Sequence, residues 1–178
     1  MSGAAHERST RVECRRVIMV ADLAGFSRAV GPLSTVELAE LVHRFYAAAS
    51  ALVESRGGRV VKFVGDGCLA VFGEDAAELA VACAVDFADI ASELCDEFGI
   101  EFGVGANVHL ATIVEGTFGA GPSAAFDVMG AGVMHAFRMG AGEGVRISEP
   151  VYRKLPNDQR RIWRRHQPPA TYVRRDAR

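Results

Sequence analysis

Two periodicities of apolar residues divide this chain of 178 residues into predicted strands and helices. Predominantly apolar runs at residues 16–23, 59–64 and 68–72 have the length and composition of buried strands. Only Gly65-Asp66-Gly67 separates the last two runs, and because this is a turn signal the two runs are predicted to form a hairpin.

Apolar residues spaced three and four apart predict two long helices. The first begins with a capping box, in which Ser34 is the N-cap and Glu37 reaches back to it, and Gly57-Gly58 end it. The second begins near Glu74 and is closed by Gly99. Its predicted core face consists of Leu79, Cys83, Phe87, Ile90, Leu94 and Phe98.

Shorter elements follow in the second half of the chain. The pattern predicts a strand pair at residues 102–108 and 112–118, a helix at 130–139, a strand at 145–148, a helix at 151–155 and a last edge strand at 170–173. This order is typical of an α+β fold with a ferredoxin-like core, in which helices cover one face of a mostly antiparallel sheet. Residues 1–14 are predicted to be a flexible N-terminal tail, and residues 15–178 a single domain.

Composition and charge narrow the possible functions. The hydrophobic content of 49% suits a sizeable core, and no apolar run approaches the roughly 20 residues of a membrane span. Because the N-terminus also lacks a signal-like segment, a cytoplasmic protein without membrane partners is expected.

The segment from Arg146 onward has nine Arg and one Lys against three acidic residues, a net charge of +7, so the rest of the chain carries a net charge of −9. This basic end either steers an anionic ligand or is a solvated surface, and its few aromatic residues argue against nucleic-acid binding.

Two aspartates end predicted strands in matching settings. Asp22 follows an apolar run and precedes Leu23-Ala24-Gly25, and Asp66 lies between two glycines. Glycine lets backbone come close to a ligand, and two carboxylates on neighbouring strands are able to hold a pair of divalent cations. Two ordinary strand-end turns are the alternative, because Asp-Gly is a common turn signal. Lys62, inside an otherwise apolar strand, requires a partner or a function.

Four blocks of sequence, in order, resemble the class III nucleotide cyclase catalytic domain across about residues 15–155. They are Ala21-Asp22-Leu23-Ala24-Gly25-Phe26-Ser27, Gly57-Gly58-Arg59-Val60-Val61-Lys62-Phe63-Val64-Gly65-Asp66-Gly67, Phe126-Asp127-Val128-Met129-Gly130 and Ala136-Phe137-Arg138-Met139. Each block is weak alone, but their order and spacing together are specific. The GGDEF signature of diguanylate cyclases, which share the ferredoxin-like core, is absent.

The resemblance implies a role for the first two blocks in binding metal ions and phosphates. It implies that Asp22, Leu23 and Asp66 hold two Mg²⁺ or Mn²⁺ ions in each site. Backbone amides of Ala24, Gly25, Phe26 and Ser27 are expected to cradle the β- and γ-phosphates of the substrate.

The same resemblance implies how the base and the transferring phosphate are recognised. Lys62 and Asp127 resemble the pair that reads the purine edge, and lysine with aspartate accompanies adenine in this family. A carboxylate accepts from the exocyclic amino group of adenine, and an ammonium donates to a ring nitrogen. Arg138 resembles the arginine that stabilises charge on the transferring phosphate.

This chain departs from the family pattern in two places. Met134 stands where the family usually has an asparagine directed at the ribose, four residues before the arginine. The adjacent His135 either substitutes for it or is an ordinary helix-surface or core histidine. The family often closes with a strand pair carrying a phosphate-binding basic residue, and here Pro168-Pro169 interrupt that segment, leaving Arg164 or Arg165 as unaligned candidates.

The resemblance thus implies an enzyme that converts ATP to 3′,5′-cyclic AMP and pyrophosphate. Since family sites are shared between two catalytic domains and this chain has both sets of residues, a homodimer with two equivalent sites is expected. Two alternatives stay open because of Met134. One is a cyclase for another nucleoside triphosphate, either GTP or a pyrimidine nucleotide, and the other is a non-catalytic nucleotide-binding or dimerisation domain.

Overall fold

An eight-stranded sheet forms the centre of the computed structural model, which describes residues 11–166 and 170–174. The strands are β1 (Val12–Ala24), β2 (Arg59–Val64), β3 (Gly67–Gly73), β4 (Gly103–Phe118), β5 (Ala125–Met129), β6 (Gly144–Ser148), β7 (Trp163–His166) and β8 (Thr171–Arg174). The helices are α1 (Phe26–Ala29), α2 (Thr35–Ser55), α3 (Ala77–Phe98), α4 (Ala131–Arg138), α5 (Glu149–Lys154) and α6 (Asn157–Arg160), with a 3₁₀ turn at Gly121–Ser123. Strand β1 already includes residues 12–14 of the predicted tail, and residues 1–10 lie outside the described part.

The two longest strands, β1 and β4, lie side by side near the middle of the sheet. The strand order is β2-β3-β1-β4-β6-β8-β7, and β5 pairs with the distal end of β4. All neighbouring strands are antiparallel except β4 and β6, which are parallel. The predicted α+β fold with a mostly antiparallel sheet is therefore confirmed.

Alternation of side chains along β1 builds an apolar core on each face of the sheet. Val17 and Met19 point to the face covered by α2, α3 and α5. Ile18 points to the opposite face, where Val133 and Ala136 of α4 cover it. The prediction that helices cover only one face was wrong, because β1 is apolar at successive positions and both of its faces need a covering layer.

The two long helices begin and end as their sequences predict. The Ser34 hydroxyl accepts a hydrogen bond from the Glu37 amide at 3.3 Å, and the Glu37 carboxylate accepts from the Ser34 amide at 2.8 Å. A cap of this kind is worth about 1 kcal/mol. Gly57 and Gly99, with φ of +74° and +64°, adopt the left-handed conformation after the helix ends. Within the described ranges, no helix has the length and apolarity to cross a bilayer.

Two predictions about the middle of the chain were wrong. The expected strand pair at residues 102–108 and 112–118 is the single 16-residue strand β4, which pairs with β1 throughout residues 103–115. No glycine or proline separates the two halves, so nothing forces a turn. Leu79, predicted to be in the core, is 46% exposed, because the buried face of α3 runs through Ala80, Ala84 and Phe87 and Leu79 lies off it.

The C-terminal segment forms a strand pair that was only partly foreseen. The predicted edge strand is β8, but it lies between β6 and β7, so β7 is the edge. Trp163 is 4% exposed and anchors β7 in the core. The strand pair implied by the resemblance is therefore present, with Arg164 and Arg165 exposed on β7, and residues 167–169 lie outside the described part.

Candidate active site

The two aspartates lie close together at one end of the central strands. Asp22 is near the end of β1, in register with Gly67 of β3 and Gly105 of β4. Asp66 occupies the turn between β2 and β3, and its carbonyl oxygen accepts a hydrogen bond from the Leu23 amide at 3.3 Å. The β2–β3 turn is therefore tied to the end of β1, which brings the two carboxylates to the same surface.

Both carboxylates line two adjoining cavities. One, of about 360 Å³, is lined by Asp22, Leu23, Ala24, Gly25, Phe26, Ser27, Arg28, Asp66 and Gly142. The other, of about 260 Å³, is lined by Val20, Ala21, Asp22, Val64, Asp66, Gly67, Cys68, Leu69, Asn107, Phe137, Gly140 and Ala141. The first cavity is thus lined by all six consecutive residues, Asp22 to Ser27, for which the sequence analysis predicts a role in binding metal ions or phosphates.

Gly105 provides the space that the Asp22 side chain occupies. A Cβ atom at this position would be 2.5 Å from Asp22 Oδ1 and 2.6 Å from the Gly142 carbonyl oxygen. These separations are far below van der Waals contact, so any larger residue would displace either the carboxylate or the loop. The sequence alone did not identify Gly105.

The electrostatics of the carboxylate pair favour a cation. Burial of the inner part of the Asp22 carboxylate raises its pKa above the ordinary value, the charge of Asp66 raises it further, and Arg146 opposes both effects. Among the described residues no group of three or more His, Cys, Asp or Glu side chains forms a metal site. Two carboxylates nevertheless suit Mg²⁺ in nucleotide enzymes, where substrate phosphates and water complete the coordination. Leu23 is 2% exposed as a whole and its side chain is apolar, so its backbone carbonyl oxygen is the one atom of this residue that suits a metal ion.

The loop after β1, which is Gly25 together with the first two residues of α1, lines the first cavity. Gly25 has φ +84° and is the N-cap of α1, a conformation that favours glycine. Its carbonyl accepts from the amides of Arg28 and Ala29 at 3.1 Å. The amides of Phe26 and Ser27, in the first turn, have no intrahelical acceptor and are available to an anion.

Lys62 and Asp127 form an ion pair although 65 residues separate them. Lys62 Nζ donates to Asp127 Oδ2 at 2.7 Å, and Asp127 Oδ1 accepts from the Val128 amide at 2.8 Å. The register of β2 shifts between Val60 and Lys62, which is typical of a β-bulge that redirects a side chain. The two side chains are 42% and 17% exposed, so a ligand can reach both.

Helix α4 carries the remaining predicted residues. Met134 is 54% exposed, and Arg138 is exposed at the end of the helix. The His135 ring lies 4.6 Å, between centroids, from the ring of His109 on β4. Burial, and then the proximity of His135, lower the pKa of His109 to about 4.

The predicted site residues therefore form two groups within one chain. Asp22, Asp66 and the loop after β1 line the two cavities described above. Lys62, Asp127 and the α4 residues Met134, His135 and Arg138 line neither of them.

Several residues that shape this region were missed by sequence reasoning. The Arg146 guanidinium donates to four carbonyl oxygens at 2.8–3.3 Å, those of Ala141, Gly142, Glu143 and Gly144. It thereby folds the loop whose Gly142 lies beside Asp22. Asn107 and His109, also missed, are polar residues at alternate positions of the apolar strand β4, which was an available signal.

Comparison with known sequences adds a family assignment to this geometry. Residues 10–169 match the profile of the family described as "Adenylate and Guanylate cyclase catalytic domain". The "Adenylate cyclase" of Mycobacterium tuberculosis is 26% identical over 149 residues, which cover 79% of this chain and 33% of that protein. The "Adenylate cyclase" of Anabaena cylindrica is 24% identical over 154 residues, covering 79% and 31%. This chain spans about a third of the length of these relatives.

Solved structures share the same fold at low sequence identity. The guanylyl cyclase Cya2 superposes with a TM-score of 0.80, is 22% identical and covers 92% of each chain. The adenylyl cyclase CyaB from P. aeruginosa has a TM-score of 0.82 at 17% identity, with 95% and 97% covered.

Proposed function

Because this chain belongs to the family of adenylate and guanylate cyclase catalytic domains, we propose that it converts ATP to 3′,5′-cyclic AMP and pyrophosphate. The observation that carries this proposal is the pair of carboxylates, Asp22 and Asp66, beside a cavity lined by the loop after β1. The ion pair of Lys62 and Asp127 supports the choice of adenine.

Asp22 and Asp66, with the Leu23 carbonyl, would hold two Mg²⁺ or Mn²⁺ ions. When bound, such ions supply Lewis acidity at the α-phosphate and lower the pKa of the ribose 3′-hydroxyl. The contribution of the chain is to place the two carboxylates together, over Gly105, and to keep Asp22 partly desolvated. The repulsion between the carboxylates is the physical reason for a cation to bind there.

The loop after β1 would bind the β- and γ-phosphates. Phe26 and Ser27 line the first cavity, and their amides have no intrahelical acceptor, so they would be available to the phosphates. Gly25 would let the backbone come close to the phosphate oxygens. Arg138 would stabilise charge on the transferring phosphate. No protein nucleophile is required, because the 3′-hydroxyl of the substrate itself attacks phosphorus.

Lys62 and Asp127 would read the adenine edge. Asp127 Oδ2 would accept from the exocyclic amino group and the Lys62 ammonium would donate to a ring nitrogen. The Val128 amide holds Asp127 through its other oxygen, so the acceptor is fixed in direction.

A homodimer would complete each site. The two groups of site residues do not line the same cavities of one chain. Exposed apolar side chains lie on β2, β5 and α4, which carry or adjoin the second group, namely Val64, Met129, Met134 and Phe137. A related guanylyl cyclase domain, from the RhoGC protein of Blastocladiella emersonii, is described as a non-canonical dimer. In this arrangement one protomer would supply the carboxylates, and its partner would supply Lys62, Asp127 and Arg138.

The direct test is incubation of the full chain with each of the four ribonucleoside triphosphates and Mn²⁺, with separation of the cyclic products. Cyclic AMP as the main product would support the proposal. A product from UTP or CTP alone would overturn the substrate, and no product from any nucleotide would overturn the activity.

The shared site has its own test. Asp22→Ala and Arg138→Ala chains are each expected to be inactive. Mixing them should restore activity, because each heterodimer contains one intact site. No recovery in a mixture shown to form heterodimers would contradict the shared site.

One observation favours a second candidate function. Met134 presents a thioether, not an amide, on the exposed side of α4, and the His135 ring packs against His109. A non-catalytic nucleotide-binding domain is the alternative that this departure supports. Thermal stabilisation by a non-hydrolysable ATP analogue with Mn²⁺, without turnover of ATP under the same conditions, would favour it.

A further inference from the structure

Buried polar atoms without a hydrogen-bond partner are rare in folded proteins and usually have a reason. Among the described residues four side-chain atoms are of this kind, namely Asn107 Oδ1, His109 Nδ1, Ser148 Oγ and Arg160 Nε. Only Asn107 also lines a cavity that contains both carboxylates, Asp22 and Asp66. Its side chain is therefore the strongest candidate for a function not yet assigned.

The orientation of the Asn107 amide is determined by its neighbour. Nδ2 donates to the Gly140 carbonyl at 2.9 Å. Because a carbonyl oxygen only accepts hydrogen bonds, the group facing Gly140 must be the NH₂ group and the unpartnered atom must be Oδ1. The residue is 6% exposed, so bulk solvent does not reach this acceptor.

Asn107 lies on the same face of β4 as the carboxylate pair. It is two residues from Gly105, on which the Asp22 carboxylate rests, and in register with Val20, two residues before Asp22. Residues two apart on a strand point to the same side of the sheet. The side chains of Asn107 and Asp22 thus line neighbouring parts of one cavity wall.

The cavity wall offers this oxygen no suitable donor. Ionised Asp22 and Asp66 only accept hydrogen bonds, and apart from Asn107 itself the other lining side chains are apolar or belong to glycine. The exception is Cys68, a weak donor that is packed in the core under α2 and α3. A donor for Asn107 Oδ1 must therefore come from a molecule in the cavity.

We propose that Asn107 is a positioning residue of the carboxylate pair, whose Oδ1 accepts a hydrogen bond from the hydration water of a divalent cation held by Asp22 and Asp66. Its Nδ2 group at the same time ties Gly140, two residues after the end of α4, to the central strand. This inference rests on the proposed function, since it needs a cation at the two aspartates. It adds a polar contact behind the metal ligands, a position where loss typically weakens metal binding 10- to 100-fold.

The test measures Mn²⁺ binding to the full chain without nucleotide, by electron paramagnetic resonance and calorimetry. Asn107→Leu keeps the size of the side chain and removes both polar groups, so its Mn²⁺ affinity should fall about 10- to 100-fold. Asn107→Asp keeps an acceptor and loses the donor to Gly140, so it should bind Mn²⁺ at least as tightly as the wild type.

Ser148→Ala is the matched control. Ser148 is 3% exposed and also has an unpartnered oxygen, but it does not line the cavity. Its replacement should leave Mn²⁺ affinity unchanged. If the leucine variant does not fold, Asn107→Ala in place of it is expected to show the same loss.

The outcomes separate the inference from the proposed function. Equal weakening in the Leu and Asp variants would show that only the bond to Gly140 matters, and unchanged affinity in the Leu or Ala variant would exclude any role toward the cation. Either result overturns the inference about Asn107, and neither contradicts the proposed metal site at Asp22 and Asp66. Mn²⁺ binding that survives Asp22→Asn would instead overturn the metal site and the inference with it.

Discussion

At the scale of single residues, two aspartate side chains differ in their electrostatic environment because their neighbours differ. Asp22 faces a second carboxylate, and its pKa is raised by burial and by that neighbour. Asp127 instead faces a lysine at 2.7 Å. We therefore expect the first aspartate to bind a cation, and the second, beside its lysine, to bind neutral hydrogen-bonding groups of a ligand.

Asp22→Asn should remove activity and stabilise the metal-free protein. Loss of a carboxylate ligand is expected to lower kcat about 100-fold or more, since bound metal contributes several kcal/mol to such reactions. In EDTA the melting temperature should rise, because the amide does not repel Asp66. Asp89→Asn, an exposed carboxylate on α3, is the control and should change neither value. An unchanged melting temperature for Asp22→Asn would contradict the repulsion.

Asp127→Asn should weaken selection of adenine more than it weakens the fold. A specific pair of this type contributes about 1–3 kcal/mol to base discrimination, which corresponds to roughly 5- to 150-fold in kcat/KM for ATP over GTP. The lysine is 42% exposed, so loss of the ion pair should cost less than about 1 kcal/mol of unfolding free energy. Competition between ATP and GTP, with a denaturant titration, measures both. Unchanged selectivity would count against the assigned role.

At the scale of elements, β4 is the platform on which the site is built. One face of this strand carries Gly105 beneath Asp22, Asn107 bonded to the loop that follows α4, and His109 beneath His135. Helix α4 can lie close to the strand because Gly132 has no side chain. A Cβ atom added at this position would be only 2.3 Å from the Ala111 Cβ. Displacement of this strand or helix should therefore affect both groups of site residues.

Gly105→Ala should impair catalysis without unfolding the protein. The new methyl group would lie 2.5 Å from Asp22 Oδ1, so the carboxylate must move. A shift of about 1 Å at a catalytic group costs as much as 100-fold in rate. Gly73→Ala is the control, because its Cβ would meet nothing within 4 Å. Initial rates and circular dichroism distinguish local displacement from unfolding, and wild-type rates for Gly105→Ala would refute the close contact.

His109 should make the fold sensitive to acid. Its folded-state pKa is about 4, below the ordinary value near 6.5, because of burial and then His135. Between these values the unfolded chain binds a proton that the folded chain does not. Stability should therefore fall as the pH drops from about 6.5 to 4, by about 1–2 kcal/mol from this group, because solvent screens the partly exposed ring.

Melting curves across this pH range test the effect. His109→Gln should flatten the loss of stability, whereas His43→Gln, on the exposed side of α2, should retain it. Equal slopes for the wild type and His109→Gln would rule out His109 as the cause.

At the scale of the whole molecule, the candidate site residues fall into two groups within one chain. Asp22 and Asp66 line two cavities whose walls do not include Lys62, Asp127 or Arg138. The exposed apolar residues on α4, Met134 and Phe137, lie on the same element as Arg138. Activity is therefore expected to depend on association of two chains.

Activity per chain should fall on dilution and should follow the dimer fraction measured by analytical ultracentrifugation. Phe137→Glu places a charge on the exposed apolar side of α4 and should weaken both association and activity. Val36→Glu changes a residue that is 79% exposed on α2 and should leave both unchanged. Constant activity per chain across the range in which the dimer dissociates would show that one chain suffices.

The sequence by itself determined the features that depend on neighbours a few residues apart. Apolar periodicity located the long helices, the capping box located the start of α2, and left-handed glycines located the helix ends. The loop after β1 could also be predicted, because Asp22 and Gly25 lie within one short segment that resembles a known family. Local backbone preferences and side-chain period are sufficient for such features.

Only the tertiary structure decided which distant residues meet. It showed β4 to be one strand, placed α4 on the second face of the sheet, and joined Lys62 to Asp127 across 65 positions. It also showed Asn107 and Arg146 to be parts of the site region, although each looks like an isolated polar residue in a strand. Strand register and sheet order bring these residues together, and both depend on long-range pairing that no local segment encodes.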